Sequence, residues 1–279
     1  MAKNLIKVLV FILVIGIAYV GWNIFINKTF CITRYEITSK KIKNSFKGVL
    51  IADLHDRQYG ENNKNLIDAV RSKNPDVIFL AGDIVNYNTS DFSKLKTLLT
   101  EFSEIAPTYY GFGNHEYSLK INDKFTVLDE IKNMNNVKVI EYGVEKTEIN
   151  GNVIKIGSFS IDKYSWERYG TEYFKLFEDP ESFFILMSHY PWVIPDLYPE
   201  TSTNVVLCGH AHGGHVHLWN DIGLFVPSEG YFLPYTSGIH EVSDKTTEIV
   251  TRGIGDHTVI PRLNNQPEMV VINFNVAED

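Results

Sequence analysis

Five short apolar runs, each four or five residues long and each leading into Gly, Asp, Asn or His, constrain this fold most: GVLIAD (48–53), VIFLAGD (77–83), TYYGFGNHE (108–116), FFILMSHY (183–190) and VVLCGHAH (205–212). Continuous apolar runs of this length read as strands buried on both faces, with their polar residues at the C-terminal ends. Between them lie NNKNLIDAVRSKN (62–74), DFSKLKTLLTEFSEI (91–105) and NDKFTVLDEIKNMNN (122–136), which carry apolar residues at three-and-four spacing and begin with Asn or Asp as caps. Those patterns predict helices. The first half is therefore a β-α-β-α succession and the fold class is α/β. Two turn signals, Tyr142-Gly143 and Asn150-Gly151, punctuate residues 137–161; Asn-Gly between alternating runs predicts a hairpin. From Val216 to Asn275 the chain is again strand-rich.

The start is different. Val8 to Asn27 is apolar with Asn23 as its one strongly polar interruption, long enough to span a bilayer, which takes ~20 apolar residues. A soluble amphipathic helix would repeat polar residues every turn, and this stretch does not. A cleaved signal peptide would end soon after small residues, but here the apolar run continues past Gly16-Ile17-Ala18, so an uncleaved single-pass anchor is expected. Residues 1–28 then form the anchor, 29–46 a juxtamembrane segment and 47–279 the catalytic domain. Lys3 and Lys7 before the span and Lys28 and Arg34 after it give a weak positive-inside bias, with the domain outside the cytoplasm.

The chain has 279 residues, 22% charged, and a net charge of −8. Removing Lys3, Lys7 and Lys28 leaves the rest more acidic still, a surface that disfavours nucleic acid as a partner. The two cysteines, Cys31 and Cys208, imply isolated thiols and no disulfide framework.

Ligands of open α/β sheets sit beyond the carboxyl ends of the strands. Here those ends carry Asp53, His55, Asp83, Asn114, His115, His189, His210 and His212. Carboxylate, amide and imidazole donors in that mixture suit Mn, Fe or Zn. The donors exceed what one tetrahedral ion needs, so two divalent ions sharing one carboxylate, Asp83 beside Gly82, is the economical assignment. Asp53 and His55, like His210 and His212, are two apart, and in extended chain such pairs project to one face.

In order, Asp53/His55, Gly82/Asp83, Gly113-Asn114-His115-Glu116, His189 and Gly209-His210-Ala211-His212 resemble the motif blocks of the calcineurin-like metallophosphoesterase superfamily, over residues 47 to 275. GHAHGG together with TRGIG…IPRLNNQPEMVVINF (251–274) is similar to a membrane-anchored or secreted bacterial branch that includes UDP-2,3-diacylglucosamine hydrolases. The resemblance implies a four-layer α/β/β/α sandwich. It implies one ion on Asp53, His55, Asp83 and His212, and the other on Asp83, Asn114, His189 and His210. A hydroxide held by the ions would attack phosphorus, with His115 stabilising charge or protonating the leaving group. Glu116 stands where many relatives carry Asp and would orient His115.

Arg57 is a candidate phosphate contact and His215 a candidate substrate contact; His217, His240 and His257 read as packing or surface residues. Tyr231, Phe232 and Tyr235 read as packing in a β-rich region, with a lipid groove as the other reading. The expected function is a membrane-anchored, binuclear phosphodiesterase or pyrophosphatase acting on a small molecule or lipid-linked headgroup. A protein phosphatase would show a set of phosphate-gripping arginines, and a metal-bearing scaffold would have lost donors; neither feature is present.

Overall fold

The structure is a computed structural model that describes residues 2–159, 175, 179, 181–218, 222–227, 229–256 and 262–278. Two six-stranded sheets pack face to face. The first has the order β1 (Cys31–Ser39), β14 (Glu268–Val276), β2 (Phe46–Ile51), β3 (Val77–Ala81), β4 (Thr108–Gly111), β5 (Val137–Ile140). The second runs β12 (Gly238–Ser243), β13 (Thr246–Val250), β9 (Val205–Cys208), β8 (Phe183–Met187), β7 (Asn152–Phe159), β6 (Tyr142–Ile149).

Side-chain alternation builds the layers. On β2 and β3, Leu50, Val77 and Phe79 enter the core between the sheets, where they meet Phe183, Ile185, Val205 and Leu207 of the second sheet. Val49, Ile51, Ile78 and Leu80, one residue out of step, pack under α2 (Lys64–Arg71) and α3 (Ser93–Ile105) through Leu66, Val70, Leu98 and Phe102. On the far side Phe184, Leu186 and Val206 meet Val193 and Ile194 of the short α6 (Val193–Leu197). The four-layer α/β/β/α order follows, with each buried large apolar side chain contributing ~1.5–3 kcal/mol.

The hairpin expected at Asn150-Gly151 joins β6 to β7, with both turn residues at positive φ (47° and 76°). Tyr142-Gly143 is no turn: β5 belongs to the first sheet and β6 to the second, so the chain changes sheets at Glu141. The third predicted helix shrinks to α5 (Leu128–Lys132), and a further helix, α4 (Asn114–Ile121), begins at the GNHE run read as a strand end. Residues 29–46 are also more than a connector. They supply β1, which pairs parallel with β14 from Cys31↔Glu268 to Ser39↔Val276. The first sheet therefore takes a strand from the segment before residue 47.

Within β2 to β5 all pairings are parallel, so their C-terminal ends share one edge; β7, β8, β9 and β13 do the same in the second sheet. Helix α1 (Ala2–Ile26) stands apart. Its side chains from Lys3 to Phe25 are exposed except for Asn23, which is 2% exposed. A small hairpin, β10 (Gly223–Val226) and β11 (Gly230–Leu233), lies outside both sheets.

Candidate metal centre

All seven predicted donors converge at the shared strand-end edge. Asp53 and His55 follow β2, Asp83 follows β3, Asn114 opens α4, His189 follows β8, and His210 and His212 follow β9. The reason is not the period-two projection of extended chain. Asp53, His55, Asp83, His210 and His212 have φ of 55°, 49°, 55°, 65° and 49°, so each sits in a left-handed kink. Such conformations cost on the order of 1–3 kcal/mol per residue and persist only where the surroundings over-determine them. Here the turns lock one another through Asp53 N–H to Gly82 O (3.0 Å), His55 N–H to Asp83 O (3.0 Å) and Ile254 N–H to Ala52 O (3.0 Å).

Asp83 occupies the middle. Its Oδ2 lies 3.9 Å from His55 Nε2, 3.7 Å from His115 Nε2 and 3.3 Å from His189 Nε2, while Oδ1 accepts the His115 backbone N–H at 2.9 Å. On one side Asp53, His55 and His212 bring donor atoms within 4.8 Å of one another, as do Asp83, His189 and His210 on the other, and His55, Asp83 and His115 between. Asn114 Oδ1 is 3.1 Å from both His189 Nε2 and His210 Nδ1.

The donor set fits divalent cations. His189 Nδ1 points at Ala81 O (2.9 Å), which assigns the proton to Nδ1 and a lone pair to Nε2. That lone pair meets the Asn114 carbonyl oxygen at 3.1 Å. Two acceptors this close repel unless a cation, or a second proton on His189, lies between them. His55 Nε2 and His212 Nε2 are 3.1 Å apart, within reach of a shared proton or a shared cation.

Burial pushes Asp53 up to about 7 against the opposing charge of His189, because its carboxylate is wholly desolvated. Burial also pushes Asp83 upward, but the charge and hydrogen bond of His189, with His55 and His115, outweigh it and hold Asp83 below the usual carboxylate range. Reciprocally, His189 rises to about 9 as Asp83 overcomes its burial.

Glu116 does not orient His115. Its Oε2 accepts from the N–H groups of Asp83 (2.8 Å) and Gly113 (2.9 Å), and its Oε1 from Ile84 N–H (2.7 Å) and the Tyr110 hydroxyl (2.8 Å). The longer carboxylate thus pins the Asp83 turn and the entry to α4. Burial and the nearby Asp83 charge raise it to about 7. His115 is held instead by Tyr87, whose N–H donates to Nδ1 at 3.0 Å. In the neutral ring this places the proton on Nε2, which faces Asp83.

Arg57 also lies elsewhere than expected. Its Nη2 donates to Asn27 O, just past α1, and its guanidinium carbon sits 4.9 Å over the Tyr59 ring. His215 is buried, its ring parallel to that of His212 at 6.3 Å. His217 is half-buried and bridges to Gly223, and His240 bonds Ser237 O while packing on Tyr235. His257 lies outside the described residues. Tyr231 and Phe232 are 69% and 65% exposed, with the Tyr231 ring 4.9 Å from that of Phe225.

Two residues escape the sequence reading. Arg262, 2% exposed, donates Nη1 to Arg252 O (2.6 Å) and Nη2 to His212 Nδ1 (2.9 Å). Asn265 Nδ2 donates to His212 O (2.7 Å) and His215 O (3.2 Å). Because arginine only donates, neutral His212 carries its proton on Nε2, directed at His55; binding a cation through Nε2 requires Arg262 to release Nδ1. A fully buried arginine is rare, but no periodicity in the sequence marks this one.

The calcineurin-like phosphoesterase profile matches residues 46–214, a stretch that contains every one of the seven donors and His115. The chain belongs to that family. Among its relatives is an uncharacterized metallophosphoesterase of Campylobacter jejuni, 26% identical over 86% of this chain and 62% of its own length. A Danio rerio protein named as a transmembrane protein with a metallophosphoesterase domain is 24% identical over 87% of this chain and 56% of its own. The phosphodiesterase YaeI of Escherichia coli is 25% identical, covering 82% of each chain. This chain thus spans about six tenths of the length of the first two relatives. Arg262 and Asn265 lie beyond the matched stretch of the phosphoesterase domain.

Proposed function

We propose that this metallophosphoesterase is anchored in a membrane by α1 and hydrolyses a phosphodiester or pyrophosphate bond in a small-molecule or lipid-linked substrate. The observation that carries the reading is the placement of Asp83 between two donor groups, one of Asp53, His55 and His212 and one of Asn114, His189 and His210. Asp53, His55, Asp83 and His212 would hold one divalent cation, and Asp83, Asn114, His189 and His210 a second. The mixed oxygen and imidazole set is compatible with manganese, and with iron or zinc. Bound cations supply Lewis acidity, polarising a phosphoryl oxygen and making water nucleophilic near neutral pH.

The chain's own groups do the rest. Glu116 fixes the Asp83 turn, and Asn265 holds the backbone of His212. His115, with Nδ1 engaged by Tyr87, presents an Nε2–H suited to donating a hydrogen bond to charge growing on a phosphate oxygen. Losing that proton outright would leave an imidazolate, so charge stabilisation is favoured over leaving-group protonation. The relative named as a phosphodiesterase supports the diester preference, the relative named as a transmembrane protein supports the anchor, and Lys3 and Lys7 support a domain outside the cytoplasm.

The test uses the full chain in detergent, because α1 is bonded to the site loop. Hydrolysis of bis-p-nitrophenyl phosphate and p-nitrophenyl phosphate is followed with manganese or with chelator, for wild type and Asp83→Asn. Chelator-sensitive diester turnover that Asp83→Asn abolishes is expected. Turnover that survives both the chelator and Asp83→Asn would refute the reading.

A further inference from the structure

The anchor helix does not hang from the domain; it is bonded into the rim of the metal centre. Asn23, the polar interruption of the apolar run, accepts the Asn264 N–H with Oδ1 at 2.7 Å. Asn27 Nδ2 donates to Arg262 O at 2.8 Å, and Gln266 Nε2 donates to Ile26 O at 3.3 Å. Arg57 donates to Asn27 O, placing a cation at the negative end of the helix. The loop that seats the anchor, 262–266, is thus the loop that holds His212.

Topology gives the direction. β1 is parallel to β14, and β14 is antiparallel to β2, so Cys31 at the start of β1 lies on the edge to which β2, β3 and β4 deliver Asp53, Asp83 and Asn114. The helix arrives at that edge and no other. Asn23 lies only ~4.5 Å along the axis from the helix end at Ile26, at 1.5 Å per residue. From Lys3 to Phe25 the helix otherwise projects exposed, and an 18-residue window of it has a mean hydropathy of 2.4.

Beside this loop runs a series of paired segments. Leu263 bridges to Val216, His217 bridges to Gly223 at the start of β10, and β10 pairs with β11. Asn264 Nδ2 also donates to His217 O at 3.1 Å. Three strand spacings, ~15 Å, therefore separate the anchor's seat from β11. There Tyr231 and Phe232 are the most exposed large apolar side chains of the described residues, α1 included. Exposed aromatics within about three strand spacings of a span's end suit the aromatic belt of the membrane–water interface.

We propose that the β10–β11 hairpin is a second membrane contact, with Tyr231 and Phe232 seated in the headgroup layer, so that the metal centre opens onto the bilayer surface. The proposal rests on the anchor reading of α1 and deepens it: the phosphate to be cleaved is met in the headgroup layer, at the edge where helix and hairpin both lie.

The test reconstitutes the full chain in phosphatidylcholine–phosphatidylglycerol vesicles containing a phospholipid with a photoactivatable diazirine near its headgroup, and maps the adducts by peptide mass spectrometry. Adducts are expected both in α1 and at Tyr231–Leu233. In the Tyr231→Ser/Phe232→Ser variant the hairpin adducts should disappear while the α1 adducts and turnover of soluble bis-p-nitrophenyl phosphate persist. Adducts in α1 alone overturn the hairpin contact and leave the anchor standing. Adducts in neither place overturn the anchor itself, and the inference with it.

Discussion

Gly113→Ala isolates one contact on which the centre depends. Gly113 has φ −101°, a backbone that alanine adopts freely, so the substitution adds no torsional strain. The added Cβ, however, would stand 2.1 Å from Asp83 Oδ1 and 2.7 Å from Asp83 N. Real Cβ contacts do not fall below 3.0 Å, so carboxylate and helix must separate by about 0.9 Å. Neither is free to yield, because Glu116 bonds both the Asp83 N–H and the Gly113 N–H. Overpacking of this kind costs ~1–3 kcal/mol, and at ~2–4 °C per kcal/mol for a domain of this size the melting temperature should fall by ~2–12 °C. Turnover should fall further, since displacing a catalytic group by ~1 Å costs on the order of 10²-fold. The measurements are thermal melts and chelator-sensitive hydrolysis of bis-p-nitrophenyl phosphate by the full chain in detergent. A variant with wild-type melting and wild-type turnover would show that Asp83 does not occupy the position described.

Other perturbations separate roles that one activity assay would merge. His115→Ala should lower diester turnover by ~10²–10³ as a lost charge-stabilising donor, with manganese content unchanged; loss of manganese would instead mark His115 as a ligand. Glu248, fully buried with Cys208 Sγ beside one oxygen, is pushed well above the ordinary carboxyl range by burial. Its charged form is disfavoured in the folded state, so its contribution to stability worsens as pH rises above the unfolded value of ~4.3. Glu248→Gln should therefore gain melting temperature over wild type at pH 8 and lose that advantage near pH 4; an offset independent of pH would contradict the assignment. Asn23→Leu improves the hydropathy of α1 yet removes its hydrogen bond with the Asn264 N–H, worth ~0.5–1.5 kcal/mol at this partly solvated contact. Melts of the detergent-solubilised protein should show destabilisation, and an unchanged or raised melting temperature would count against the docked anchor.

The donors were legible because each ends a buried apolar run, and strand ends of an α/β fold are where side chains of distant sequence meet. The reason they aim inward was not legible. The left-handed turns are held by bonds between strand ends distant in sequence, within the first sheet at Asp53–Gly82 and His55–Asp83 and between the sheets at Ala52–Ile254, which no local pattern encodes. Asn23 was visible as an anomaly in an apolar run, although its partner lies 241 residues away. Glu116 and Arg57 bond away from His115 and the donor cluster, because sequence adjacency does not fix where a long side chain reaches. Arg262 was missed because its burial is created by loops that arrive from several strands.

The pairing of β1 with β14 bears on how the molecule is made. Thr33 donates to the Glu268 carboxylate across 235 residues of chain. At ~5–20 residues per second of synthesis, β1 waits roughly 10–50 s behind α1 before its partner strand exists. Throughout that interval one side of β1 is an open template for other extended segments. The loop carrying Arg262 and Asn265 emerges in the same closing seconds. The first sheet therefore closes, and the loop beside His212 is seated, only when the last strand has been made.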